Sequence, residues 1–368
     1  MPCDVYMTQR FIIALVCSAV LLGPPVGAAA GADGAMADSA YTDLVVLPIV
    51  FYTPETGVAF GAAGAYFFRP HPESRTSSLS GIGFYSQRGN LLLGITPELY
   101  SRDGSHRMLL GVSYQDFPQS FWGIGGDTTG EMEEEYTSRA VMFNCLFQHR
   151  FLRGARAGLR YKFRYERLTD VEEGGMLSEG ILPGADEHIV SGLGVVATWD
   201  KRDNIFFSKK GAFVEALAVY HGDLLGSDYA YGEVSLDARL YAPLYGDHSL
   251  ALRGLTASAS GDVPFQELPR LGGAFLLRGY DEGRFRDKVL VAFQAEYRSA
   301  YWGRVGIAVF GSYADVAGRW GDLDPRSFKY AAGMGVRFRL NEENFNLRID
   351  AAVGEDSDGF YFVAGEAF

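Results

Sequence analysis

The chain has 368 residues, of which 46 are glycine, 21 tyrosine and 26 phenylalanine, with a net charge of −12 and a mean hydropathy of −0.01. A bundle of membrane helices is far more apolar, and a soluble enzyme of this size carries fewer glycines and aromatics. The acidic balance argues against nucleic acid as a partner, whereas a membrane β-barrel accommodates the composition, with a polar lumen, an apolar outer face and aromatic girdles.

Residues 1–30 read as an export signal peptide. Arg10 supplies the positive start, Phe11 to Leu22 the short apolar run, Gly23-Pro24-Pro25 the break, and Ala28-Ala29-Ala30 the small-residue cleavage site. Cys3 and Cys17 leave with this segment and Cys145 remains alone, so neither a disulfide nor a cysteine metal site is expected. Residues 31–43 are small and polar and read as a short linker. Residues 44–368 read as one barrel domain, with no room for a separate N-terminal domain. No later run approaches the ~20 apolar residues of a membrane helix, so a membrane-spanning chain must close its strands into a barrel.

From there a period of two dominates. In Tyr229 to Tyr241, Val234, Leu236 and Leu240 fall on one face, and Glu233, Ser235, Asp237 and Arg239 on the other. The same division recurs in Ala157 to Glu166 and in Phe345 to Val353. Walking from turn to turn gives about sixteen strands, from 44–51 and 57–68 at the start to 344–355 and 359–368 at the end. The expected fold is therefore all-β: a transmembrane antiparallel barrel of about sixteen strands. Long connections (Phe117 to Glu135, Asp170 to Glu187, Val263 to Asp287) alternate with short ones (Arg102 to Gly104, Phe151 to Gly154), as outer loops alternate with periplasmic turns.

Enzyme signatures are missing: there is no His-Glu-x-x-His, no Gly-x-Ser-x-Gly and no P-loop. No catalytic residue, cofactor or metal is expected. The unusual segment is Leu268 to Lys288, LPRLGGAFLLRGYDEGRFRDK, between the eleventh and twelfth strands. Its leucines suit a loop folded into the lumen better than one in water. Arg278, within Arg278-Gly279-Tyr280, then needs a carboxylate, because a buried unpaired charge is costly and a guanidinium binds a carboxylate in bidentate fashion.

This loop resembles that of the BamA/TamA family of outer-membrane assembly barrels, also called bacterial surface antigen proteins, in which an Arg-Gly-Phe/Tyr motif tucks into the barrel after the eleventh strand. Phe293-Gln294-Ala295-Glu296-Tyr297-Arg298 is similar to the family's next strand. Asp200 to Gly211, DKRDNIFFSKKG, resembles its Asp-x-Arg-Asp periplasmic turn through Asp200, Arg202, Asp203 and Gly211, with Ser208 where proline is usual. Tyr313-Ala314-Asp315 resembles the family's aromatic-x-Asp motif, which implies Asp315 as the partner of Arg278. Simple alternation allows that only with a bulge near Gly311; otherwise Asp350 or Glu296 is the partner. Gly365 and the terminal Phe368 match a late glycine and an assembly signal, while Glu366 departs from the apolar alternation. The resemblance implies insertion or translocation of proteins or lipids at the outer membrane. Expected partners are outer-membrane lipid, unfolded client proteins and, because no polypeptide-transport-associated (POTRA) domain is present, a separate periplasmic subunit. The alternative is a passive or gated diffusion pore with the Arg278 loop as its plug.

Overall fold

The structure, a computed structural model, describes residues 41–53, 57–69 and 74–368. The signal peptide and most of the linker lie outside the described residues. The sixteen wall strands are β1 (Tyr41–Thr53), β2 (Gly57–Arg69), β3 (Ser77–Ser86), β4 (Leu91–Tyr100), β5 (His106–Phe121), β6 (Glu134–Leu152), β7 (Ala155–Thr169) and β8 (His188–Asp200), followed by β9 (Gly211–His221), β10 (Tyr231–Pro243), β11 (Ser249–Gly261), β12 (Val289–Arg298), β13 (Val305–Ala317), β14 (Lys329–Arg339), β15 (Asn346–Val353) and β16 (Asp358–Ala364). Each pairs antiparallel with its neighbours in chain order, forming one sixteen-stranded sheet. β1 begins at Tyr41, so the last three residues assigned to the linker are strand.

The period of two sorts side chains as a barrel in lipid requires, with polar groups inward and apolar groups outward. On β10, Asp237 is 2% exposed and Arg239 4%, whereas Val234 is 53% and Leu240 51% exposed. A soluble sandwich shows the reverse. Among the described residues no helix is long and apolar enough to cross a membrane.

The two ends of the strand order meet through side chains. Phe362 of β16 packs on the cluster of Ile49 from β1 with Ala59 and Ala63 from β2. Phe67 of β2 lies 5.3 Å from the ring of Phe345, just before β15, and Arg69 of β2 pairs with Glu343.

The strands lengthen towards one end of the sheet, where β5 and β6 run in register from His106↔His149 to Phe121↔Glu134. The long loops at that end fold over the mouth. Leu177 from 170–187 and Val263, Phe265 and Leu268 from 262–288 share an apolar cluster with wall residues Phe121, Tyr136, Val190, Tyr231 and Ala259. The loop 262–288 continues inward, narrowed by a two-residue ladder of Arg270–Leu271 with Phe285–Arg286. Leu271, Leu276, Leu277 and Tyr280 pack against an apolar stripe of the inner wall formed by Leu255, Ala257, Leu290, Ala292, Ala314, Val316 and Ala331. That stripe explains why leucines sit in this loop: they remain out of water although they lie within the lumen.

Candidate functional site

Arg278 is fully buried at the inner end of this loop. Gly272, Gly273, Gly279 and Gly283 all adopt positive φ there. At Gly279 (φ +116°) a Cβ would also stand 2.9 Å from the Val353 carbonyl carbon, so only glycine lets the loop approach the β15–β16 connection this closely. The Gly279 amide donates to the Tyr361 hydroxyl at 2.8 Å, and that hydroxyl donates to the Tyr280 carbonyl at 3.1 Å. The Tyr280 hydroxyl accepts the Glu355 amide at 3.0 Å. Both Tyr280 and Asp281 lie in the loop, and burial raises the pKa of each above its ordinary range; Glu133 adds to the shift of Asp281.

The guanidinium of Arg278 bridges two wall strands. Its Nη1 donates to Asp350 Oδ2 on β15 at 2.7 Å and its Nη2 to Glu296 Oε2 on β12 at 2.9 Å, while its flat face lies 3.3 Å from the centre of the Phe310 ring. Asp315 is not its partner. The β12–β13 ladder runs unbroken from Val289↔Ala317 to Arg298↔Ala308, so the bulge expected near Gly311 does not form. Ala308, Phe310, Ser312 and Ala314 therefore take the inner face, and Asp315 takes the parity of exposed Val309 and Tyr313. Its carboxylate instead accepts the Ser327 hydroxyl at 2.8 Å and lies 4.0 Å from Lys329 Nζ.

Three further arginines complete the network. Arg337 of β14 donates to Asp350 at 2.6 Å, to Glu296 at 3.2 Å and to Glu366 at 2.9 Å. Arg298 donates to Glu296 at 2.8 Å, to the Ser208 carbonyl at 3.2 Å and to Phe368 at 3.0 Å. Arg348 pairs with Asp350 and reaches the Ala274 carbonyl of the loop at 2.7 Å. Gly335 stands opposite Asp350, where a Cβ would collide with the carboxylate at 1.9 Å. Arg298 closes the Phe293 to Arg298 segment but was not expected as part of a network, and Arg337 and Arg348 lie outside the motifs. They share the lumen-facing parity of Glu296 and Asp350, and that parity was the signal for them.

The C-terminal residues leave the wall. β16 was expected to run to 368 but ends at Ala364. Gly365 takes φ +89°, and its amide bonds the Asn346 carbonyl at 2.6 Å. Glu366 turns inward to Arg337 and to Asn346 at 2.8 Å, which accounts for a charge at a position where alternation asked for an apolar residue. Phe368 is buried with Tyr241 and Ala251.

The turn 200–211 lies at the same end as this C-terminal segment. Asp200 accepts from Arg202 Nε at 3.1 Å and from Arg75 at 2.6 Å. Asp203 accepts the amides of Asn204, Lys209 and Lys210 at 3.0 to 3.2 Å, closing the turn on itself. Gly211 (φ +112°) leaves room for the Lys201 carbonyl, which a Cβ would meet at 2.2 Å. From this frame Phe206 reaches across to Phe67 (5.3 Å) and Phe345 (5.8 Å), and Phe207 packs on Tyr301 (5.5 Å). Among the described residues no group of three or more His, Cys, Asp or Glu is arranged to hold a metal. The site is a buried network of charge pairs between the inner loop, the wall and the C-terminal segment.

No curated protein matches the chain. Among solved structures it is similar to BamA from Haemophilus ducreyi lacking POTRA domains 1–3, with 16% identity and a TM-score of 0.57 over 90% of this chain and 70% of that one. It is also similar to CdiB from Acinetobacter baumannii (14%, 0.51, over 90% and 61%) and to CdiB from Escherichia coli (12%, 0.57, over 88% and 62%). At these identities the likeness is one of fold, a barrel of the BamA/TamA type. A model of the Omp85 superfamily domain matches residues 86–368, which is 283 of the 368 residues, and the chain therefore belongs to the Omp85 superfamily.

Proposed function

We propose that this barrel sits in the outer membrane of a Gram-negative bacterium with its short turns towards the periplasm, and that it assists insertion or translocation of client proteins, or of lipids, at the seam between β1 and β16. The observation that carries the reading is the mismatch of the two terminal strands. β16 has 7 residues and β1 has 13, so a ladder between them leaves at least 13 − 7 = 6 residues of the β1 edge without a partner. Gly365 through Phe368, which could have lengthened β16, turn inward to Arg337, Asn346 and Arg298. An incompletely paired strand edge is a template for a client strand. BamA and the two CdiB proteins share the fold. A separate periplasmic subunit would deliver the client to the short-turn end.

The reading is tested with a cysteine pair, Ile49→Cys/Phe362→Cys, on the two terminal strands, whose side chains join one apolar cluster. Oxidation or a short thiol crosslinker is expected to block client insertion in proteoliposomes, and reduction to restore it. Unimpaired insertion by the crosslinked barrel would remove the seam from the mechanism.

A further inference from the structure

The outer face of the wall carries a feature that is independent of the seam. At the short-turn end the ladder of β5 and β6 sets His106 directly opposite His149. Both side chains take the outward parity and are exposed. His149 Nδ1 lies 3.2 Å from His106 Nε2, with the ring centres 4.9 Å apart. Among the described histidines these two alone face each other. His188 meets the Asp186 carbonyl, His221 the Glu233 carboxylate and His248 the Tyr297 hydroxyl.

The turn that precedes β5 fixes the proton on His106. The hydroxyls of Ser101 and Ser105 donate to Asp103 Oδ1 at 2.6 and 2.8 Å. With its own proton committed there, Ser105 Oγ accepts from His106 Nδ1 at 2.8 Å. His106 Nε2 is therefore the unprotonated nitrogen, and its lone pair faces His149. The Phe147 ring stacks on His106 at 5.6 Å and holds it in this orientation. A carboxylate acting through a hydroxyl on the far nitrogen is how proteins orient histidine ligands to metals. Two imidazole nitrogens, each about 2.0–2.1 Å from one tetrahedral ion, stand roughly 3.3–3.4 Å apart, so this pair is already spaced for an ion. Arg150, the cation next to His149 in the chain, is turned to the Asp103 carbonyl at 2.9 Å.

We propose that His106 and His149 bind a divalent transition-metal ion of the zinc class, with water completing its coordination. His149 moves its proton from Nδ1 to Nε2, so that both facing nitrogens donate lone pairs to the ion. The ion then pins β5 to β6 at the short-turn end. Imidazole selects zinc, nickel or copper over magnesium and calcium, which take oxygen ligands. The test uses the full-length barrel without a polyhistidine tag, stripped with chelator in neutral detergent and titrated calorimetrically with Zn2+ and, separately, with Mg2+. One saturable Zn2+ site per barrel and no Mg2+ binding are expected. Ser105→Ala, which keeps both ligands, should weaken Zn2+ binding about tenfold, and His106→Gln and His149→Gln, each lacking a ligand outright, by more than that. Heat-modifiable gel mobility checks that each variant folds, and either histidine variant alone suffices for the test. Absence of saturable Zn2+ binding, equal binding of Mg2+, or undiminished affinity in a folded His106→Gln or His149→Gln barrel would overturn the proposal.

Discussion

Arg278 ties the loop to two strands that lie three places apart in the wall, and its removal leaves Glu296 and Asp350 facing Arg298, Arg337 and Arg348 with altered geometry. Breaking one partner of a buried ion pair costs about 3–5 kcal/mol. Arg278→Ala is therefore expected to lower the urea midpoint of the folded barrel by a corresponding amount. Asp350→Asn should have a comparable effect, and Asp315→Asn a much smaller one, since Asp315 contacts only the Ser327–Lys329 segment and not the network. Equal effects of the two aspartate variants would refute the partner assignment. Gly279→Ala should cost roughly 1–3 kcal/mol through its left-handed backbone alone, before any clash with Val353. At this scale the sequence was legible through parity. Alternation along β13 already set Ala308, Phe310 and Ser312 against Val305, Ile307 and Val309, and it was the motif at Tyr313 to Asp315 that pointed elsewhere. The second carboxylate was not legible as such, because the bridging of β12 and β15 by one side chain depends on a curvature that no local pattern encodes.

Among the elements, sixteen strands were readable from turns and alternation, and β2, expected over 57–68, runs from Gly57 to Arg69. The exception is the last, where Gly365 ends the strand and Glu366 finds arginine inside. The turn 200–211 also does more than reverse the chain. Asp203 fixes its backbone so that Phe206 reaches Phe67 and Phe345 on the two sides of the closure, and the Asn204 side chain bonds the Glu343 carbonyl at 3.0 Å. Phe206→Ala removes an aromatic side chain worth about 3–5 kcal/mol when well packed. Because the cluster it joins also holds Val45 of β1 and Ala364 of β16, the loss is expected to appear locally, as faster amide hydrogen exchange in β1 and β16 with β6 and β7 unchanged. Uniformly faster exchange around the wall would assign the turn a general role instead.

For the whole molecule, three long loops converge on one mouth. The Gly125 amide bonds the Arg286 carbonyl at 2.8 Å, Arg284 holds Thr128, and the Phe265 amide bonds Pro183, so the loops brace one another as well as the wall. A lumen filled in this way should pass little current in a planar bilayer. Replacing Gly272 through Arg284 by a short linker is expected to produce a steady, much larger conductance in single-channel records. A high conductance in the unaltered barrel would favour the diffusion-pore reading. This convergence was beyond the reach of the sequence, which marked the loops as long but carried no trace of which would touch.

The hydroxyl of Tyr361 belongs to β16, yet it holds Gly279 and Tyr280 at the tip of the inner loop. A terminal strand that swings away from its neighbour must therefore either drag that tip along or break both bonds. Parting of the wall and unblocking of the interior become strokes of one lever, and phenylalanine at position 361 would uncouple them.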